Sequence, residues 1–251
     1  MEELAPLVGN LPAWAALFIT VVARLSFIIF FMPGVGEEPI PLRVRLAVLF
    51  AIATLLATNG IVEPISFNPL GPFFVTLFGE VAIGFFFGVT LRLTLWMLSI
   101  AGSVIAQVIG LSQVLGVATD SEASTMTSNL LSMAGAALLL SMNFHVTVVS
   151  AMVEIYTEVP VGALERVNQE MLISSVFDAA SFAFLLAWPF VAVNLLYNLC
   201  LGFINKALPQ LMVAFVGAPF MVGAGAALFA LSAGSLLYVW KERIFLILGW
   251  M

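Results

Sequence analysis

Two ionisable residues stand deep inside apolar runs: Arg24 in LFITVVARLSFIIFF and Glu80 in FFVTLFGEVAIGFFF. Charges at such depth are costly in hydrocarbon and mark a functional or structural site. Arg24 lies about 12 Å along a helix from Met32, too far for its side chain to reach an interface by extension. Glu80 and Arg92 would stand about 18 Å apart on one helix and cannot pair directly. For Arg24 a structural contact with protein is favoured over ion transport, and for Glu80 the two stay open. A carrier would show more buried acids and bases forming a relay. His145 is the single histidine and Cys200 the single cysteine, so neither a metal site nor a catalytic triad can be assembled around them. His145 reads as a hydrogen-bonded residue at a helix end, and Cys200 as a small apolar one. No HExxH, GxSxG or phosphate-cradling loop occurs, and an enzyme is not expected.

The strongest polar pattern lies in the last third. Asn194, Asn198, Gly202 and Asn205 fall on one helical face, since eleven residues make close to three turns. A stripe of carboxamides against lipid would leave donors and acceptors unpaired at several kcal/mol each, so it must face protein or water. Packing within the chain and contact with another subunit both satisfy that. Interhelical carboxamide bonds contribute only about 0.6 kcal/mol in membranes, so the stripe specifies packing more than it stabilises. Small residues recur at four-residue spacing in Gly84 and Gly88, in Gly102, Ala106 and Gly110, and in Ala226, Ala230 and Gly234. Such ladders let helices approach closely. Pro189 and Pro219 interrupt apolar runs and should kink them.

The elements that must position these residues are membrane helices. Hydrophobic residues make up 63% of the 251 positions and charged residues 9%, with a mean hydropathy of +1.16. A soluble domain carries about 25% charged residues. Leu93 to Thr119, Ala123 to Val153, Ala179 to Asn205 and Ala207 to Trp240 contain no Asp, Glu, Lys or Arg. Each exceeds the roughly 20 residues that cross about 30 Å of hydrocarbon. Glu2 and Glu3 stand where a cleavable signal would be positive, and no basic patch for nucleic acid occurs. About six spans are expected, near Leu11 to Met32, Leu46 to Thr58, Pro72 to Leu91, Met126 to Val153, Val176 to Cys200 and Gln210 to Trp240. All should be helical, because hydrocarbon offers no partner to an open strand edge. Six crossings put Arg43, Arg45, Arg92 and Lys206 on one side and the acidic loop Glu154 to Glu170 on the other, with Lys241 and Arg243 as misfits. Leu93 to Ala123 is then a re-entrant or interfacial segment, with an ordinary extramembrane loop the alternative for its glycine-containing end.

Asn198-Leu199-x-Leu201-Gly202-x-x-Asn205-Lys206-Ala207-x-Pro209-Gln210, followed by Gly217-x-Pro219, resembles the signature of the FliR family of flagellar biosynthesis proteins, related to the SctT export-gate subunit of virulence type III secretion systems. The resemblance continues through Arg24, Pro33-Gly34, Ile40-Pro41 and Arg43-x-Arg45, then Glu80, Gly84, Gly88, Arg92 and Gly102, then Gly110-Leu111-Ser112, Asn143-x-His145 and Pro160-x-Gly162. It spans nearly the whole chain. Two departures occur: the family usually has Arg at Lys206, and its loop commonly reads Phe-Asp-Pro where this chain has Thr119-Asp120-Ser121.

The resemblance implies a single all-α membrane domain over residues 1–251, with hydrophobic helices arranged as hairpins within a helical pore assembly. It implies FliP-like and FliQ-like partners in the gate core, joined by FlhB-like and FlhA-like proteins. Unfolded flagellar subunits would pass through the pore, in the bacterial inner (cytoplasmic) membrane at the flagellar basal body. By position, the pore plug corresponds to Gly110, Leu111, Ser112, Gly116, Asp120 and Glu122. Subunit packing is expected at Asn194, Asn198, Gly202, Asn205, Lys206, Pro209, Gln210, Gly84 and Gly88, with intramembrane charge at Arg24, Glu80 and Arg92. No cofactor is implied. The alternatives are the equivalent virulence-system subunit and, further off, a secondary transporter, which should show inverted repeats and a midplane ion site.

Overall fold

The computed structural model describes residues 5–37, 39–62, 69–110, 120–207 and 213–248. Among them the secondary structure is helical throughout: α1 (Ala5–Phe31), α2 (Leu42–Thr58), α3 (Leu70–Ile109), α4 (Asp120–Ser141), α5 (Phe144–Glu158), a single 3-10 turn (Leu164–Arg166), α6 (Gln169–Ala207) and α7 (Val213–Ile247). The all-α polytopic class expected from composition is what the chain adopts. Four helices are long and apolar enough to cross a membrane, and a bent pair, Met126–Ser141 with Phe144–Glu158, could supply a fifth.

The division into elements differs from six spans in two places. Residues 93–109 do not form a separate segment; they continue α3 without a break through 40 residues. At 1.5 Å per residue α3 is about 60 Å long, twice the hydrocarbon thickness, so part of it lies beyond a single apolar layer. Pro72 sits in its first turn, where a missing N–H costs nothing. Its one interior cation, Arg92, is paired to Glu37, so no charge forces the helix to stop there. The second expected span is α2, which has 17 residues and is about 26 Å long, short of a full crossing. With four or five crossings the loops no longer alternate as the six-crossing charge count assumed.

The chain packs as two compact units, each discontinuous in sequence. The first contains residues 1–92, 139–174 and 250–251. Its core is built where α1 packs on α2 and includes Val21, Leu25, Ile28, Leu49, Ala53, Ile83, Val148 and Met152, all buried. The second contains residues 93–138 and 175–249, with Leu93, Met97, Leu98, Ala101, Ile105, Leu131, Ala187 and Trp240 buried. Trp240 is fully enclosed, and its indole N–H donates to the Thr94 carbonyl at 2.8 Å, which satisfies the one polar atom such burial strands. Gly135 makes room for it: a Cβ there would lie 3.0 Å from the indole. Between α4 and α5 the chain bends by 73° at Asn143, which holds the left-handed conformation with φ 59° and ψ 27°, a region Asn tolerates better than most residues.

Candidate functional site

In the first unit the two intramembrane charges meet each other. Arg24 on α1 donates from Nε to Glu80 Oε2 at 2.6 Å and from Nη2 to Oε1 at 3.0 Å. Both side chains are fully buried. The remaining donors of the guanidinium reach the chain leaving α5, Nη1 to the Val159 carbonyl at 2.7 Å and Nη2 to that of Pro160 at 3.4 Å. The Gly162 N–H donates to Glu80 Oε1 at 3.0 Å. The Tyr156 ring lies against the guanidinium, with Cζ 4.2 Å from its centroid. Every charge and most of the hydrogen-bonding capacity are therefore matched, as a buried ion pair requires if its partners' attraction is to offset their desolvation. The arrangement ties three segments distant in sequence into one node. It clamps α1 and α3 to the chain leaving α5, with both charged groups fully buried.

Two glycines let that node form. A Cβ on Gly84 would overlap the Arg24 carbonyl oxygen, and one on Gly88 would lie 2.6 Å from that of Phe27. The Gly84–Gly88 ladder thus faces α1 of the same chain. Arg92 Nη1 donates to Glu37 Oε1 at 2.6 Å in a half-buried pair, and Arg45 Nη2 donates to the Glu37 carbonyl. Gly34, with φ +87°, turns the chain between the end of α1 and Glu37. A single buried acid and a single buried base in an apolar sequence are each other's natural partners, so the pairing could have been anticipated; the roles of Tyr156, Val159, Pro160 and Glu37 had no such signal. His145 departs from expectation. Its Nδ1 is buried without a hydrogen-bond partner among the described residues.

In the second unit the carboxamide stripe runs along the second half of α6. From Val191 to Ala207 no residue of this helix is buried. Asn198 Nδ2 donates to the Asn194 carbonyl at 2.9 Å and to Asn194 Oδ1 at 2.8 Å. Gly202 has open space above it, and Asn205 and Lys206 are exposed. Asn194 and Asn198 border a cavity of about 360 Å³ shared with Gln107, Gly110, Tyr197 and Met221. The Tyr197 hydroxyl is buried there without a partner among the described residues, and it closes on Gly217, where a Cβ would lie 2.5 Å away. On α7 the ladder Ala226, Ala230 and Gly234 is exposed, and Gly223 and Gly234 meet nothing within 4 Å. The ladder on α3 is occupied instead: a Cβ on Gly102 would lie 2.8 Å from the Ser128 Cα of α4. Gly110, with φ +72°, ends α3. Asp120 and Glu122 fall in the first turn of α4. Leu111, Ser112, Gly116, Pro209 and Gln210 lie outside the described residues.

Residues 15–246 match the family described as bacterial export proteins, family 1. The chain belongs to that family. Among curated relatives it is 32% identical over 233 residues to the flagellar biosynthetic protein FliR of Caulobacter vibrioides, covering 89% of this chain and 90% of the relative. It is 28% identical over 229 residues to the protein of the same name from Escherichia coli, covering 87% and 84%. It is 25% identical over 206 residues to the surface presentation of antigens protein SpaR of Shigella flexneri, covering 76% and 75%. The match to this export family runs through both compact units, so the buried clamp and the exposed stripe fall within one family region.

Proposed function

We propose that this chain is a core membrane subunit of a flagellar type III protein-export gate, contributing to the pore through which unfolded flagellar subunits leave the cell. The observation that carries this reading is the unpartnered outer surface of α6 and α7. Of the apolar 18-residue windows in these helices, 28% and 11% of positions are buried, against 50% in α3. Exposed large residues such as Leu196, Phe203, Phe220 and Leu231 surround the Asn stripe and the small-residue ladder. Lipid would satisfy the leucines but not the carboxamides. A helix from another subunit satisfies both, using the small residues for close approach. We infer that FliP-like and FliQ-like subunits are those partners in the gate core, with FlhB-like and FlhA-like proteins joining them, in the bacterial inner membrane at the flagellar basal body. The FliR names among the relatives favour the flagellar system over the virulence one.

In this reading Asn194, Asn198, Gly202, Asn205 and Lys206 contact partners, and residues 110–122 seal the closed pore. Affinity purification from native membranes, with identification of the retained subunits, tests the assignment. Asn198→Leu is expected to reduce partner recovery; normal assembly of that variant would make the stripe an intrachain feature. Deletion of residues 110–122 is expected to leave assembly intact and raise ion conductance across the membrane, and an unchanged conductance would remove the plug from the proposal.

A further inference from the structure

The second unit carries a second surface feature apart from the Asn stripe. Between α6 and α7 lies an apolar groove of about 300 Å³, lined by Leu185, Pro189, Phe190, Leu228, Leu236 and Val239. Two serines, Ser232 and Ser235, also line it, and the Ser232 hydroxyl is turned back on its own helix, donating to the Leu228 carbonyl at 2.8 Å. From Leu228 to Val239 the groove extends about 16 Å along α7, wholly within the apolar span Pro219–Ile244. Pro189 lies inside α6 at its middle, where its missing N–H and ring disturb the helix and open space beside it.

One turn beyond Val239, on the same face of α7, stands Arg243. Its guanidinium lies over the Phe182 ring of α6, 5.9 Å from the centroid, and its Nε is buried with no hydrogen-bond partner among the described residues. Four charged residues flank this end of the groove: Asp178, Lys241, Glu242 and Arg243. Two are engaged with Tyr238, on α7 beside the groove. Lys241 Nζ lies 5.2 Å from the Tyr238 centroid, and Glu242 stands close to the Tyr238 hydroxyl. That leaves one cation, Arg243, and one anion, Asp178, which is exposed and has no ion-pair partner among the described residues. Asp178 precedes Phe182 by one helical turn, about 6 Å farther from the groove.

Apolar groove, then a cation, then an anion is the complement of a zwitterionic phospholipid, in which acyl chains are followed by an anionic phosphate and then a cationic ammonium. We propose that the α6–α7 groove binds one such lipid, a phosphatidylethanolamine. An acyl chain lies between Phe190 and Val239, the phosphate accepts from Arg243, and the ammonium faces Asp178. An unpaired guanidinium donor at the edge of an apolar span is costly until an anion reaches it, and cationic pockets between membrane helices recruit lipid headgroups. The balanced charge at the groove mouth selects a zwitterionic headgroup over an anionic one, for which Asp178 would be repulsive.

The test uses the complex containing this chain, purified from native membranes, delipidated, and supplied with phosphatidylethanolamine or phosphatidylglycerol. Native mass spectrometry counts the retained lipid. The wild-type complex should retain phosphatidylethanolamine preferentially. Arg243→Gln should lower retention about tenfold or more, the loss of one charge-assisted bond. Asp178→Asn should remove the preference between the two lipids, and Ser232→Trp, which fills the groove, should remove the bound lipid while assembly persists. Equal retention in wild type, Arg243→Gln and Ser232→Trp overturns the proposal. So does a photo-crosslinker at Ser235 that captures another protein chain in place of lipid, which would make the groove a subunit interface.

Discussion

Replacing Glu80 by Gln is the sharpest test of the clamp in the first unit. The substitution keeps the shape and removes the charge, leaving Arg24 buried with no counterion. Glu80 accepts three hydrogen bonds, from Arg24 Nε, Arg24 Nη2 and the Gly162 N–H. A carboxamide can keep the bonds at one oxygen only, and its NH2 would face a guanidinium donor. Breaking one partner of a buried pair costs about 3–5 kcal/mol, or two to four powers of ten in the folded-to-unfolded ratio. Arg24→Leu combined with Glu80→Leu should cost less, because no charge is stranded. The buried Val159 carbonyl then loses a donor, at about 1–3 kcal/mol, while the Pro160 carbonyl and the Gly162 N–H, whose bonds are only part-buried, are left to water. Unfolding midpoints in mixed detergent and sodium dodecyl sulfate, followed by circular dichroism, measure the three proteins side by side. If Glu80→Gln lost less than about 1 kcal/mol, or if the double variant were the more damaged, the stranded-charge argument would fail.

Two further outcomes follow from backbone geometry. Gly84→Ala should separate α1 from α3 and destabilise the chain by several kcal/mol, whereas Gly79→Ala, whose Cβ would meet only Leu164 at 3.9 Å, should be neutral or slightly stabilising through helix propensity; the same detergent unfolding assay reads both, and equal effects would refute the close-approach reading. Asn143→Val should cost about 1–3 kcal/mol because a β-branched residue resists the left-handed conformation, while Asn143→Gly should be tolerated; equal midpoints for the two variants would show that the turn at the 73° bend is not held at positive φ.

Much of this protein was legible in its composition and spacing. Long uncharged runs can be satisfied only by helices at membrane depth, because no other backbone arrangement closes its own hydrogen bonds there. The pairing of Arg24 with Glu80 was half legible. Their solitude in apolar runs implied a partner each, yet which partner, and that the carbonyls beyond α5 would share it, depended on contacts across 56 and 135 residues. The length of α3 was hidden for a related reason. Arg92 looks like a boundary in a hydropathy profile, and only the Glu37 carboxylate, folded back from the α1–α2 turn, neutralises it and lets the helix run on. Small-residue ladders carry the same spacing whether they meet α1, α4 or nothing. The sequence by itself determined that Gly84, Gly102 and Gly234 permit close approach, since absence of a Cβ is a local property. Tertiary structure decided that the first two are filled from within the chain while the third stands open, since a neighbour is supplied by the rest of the fold and by whatever assembles upon it.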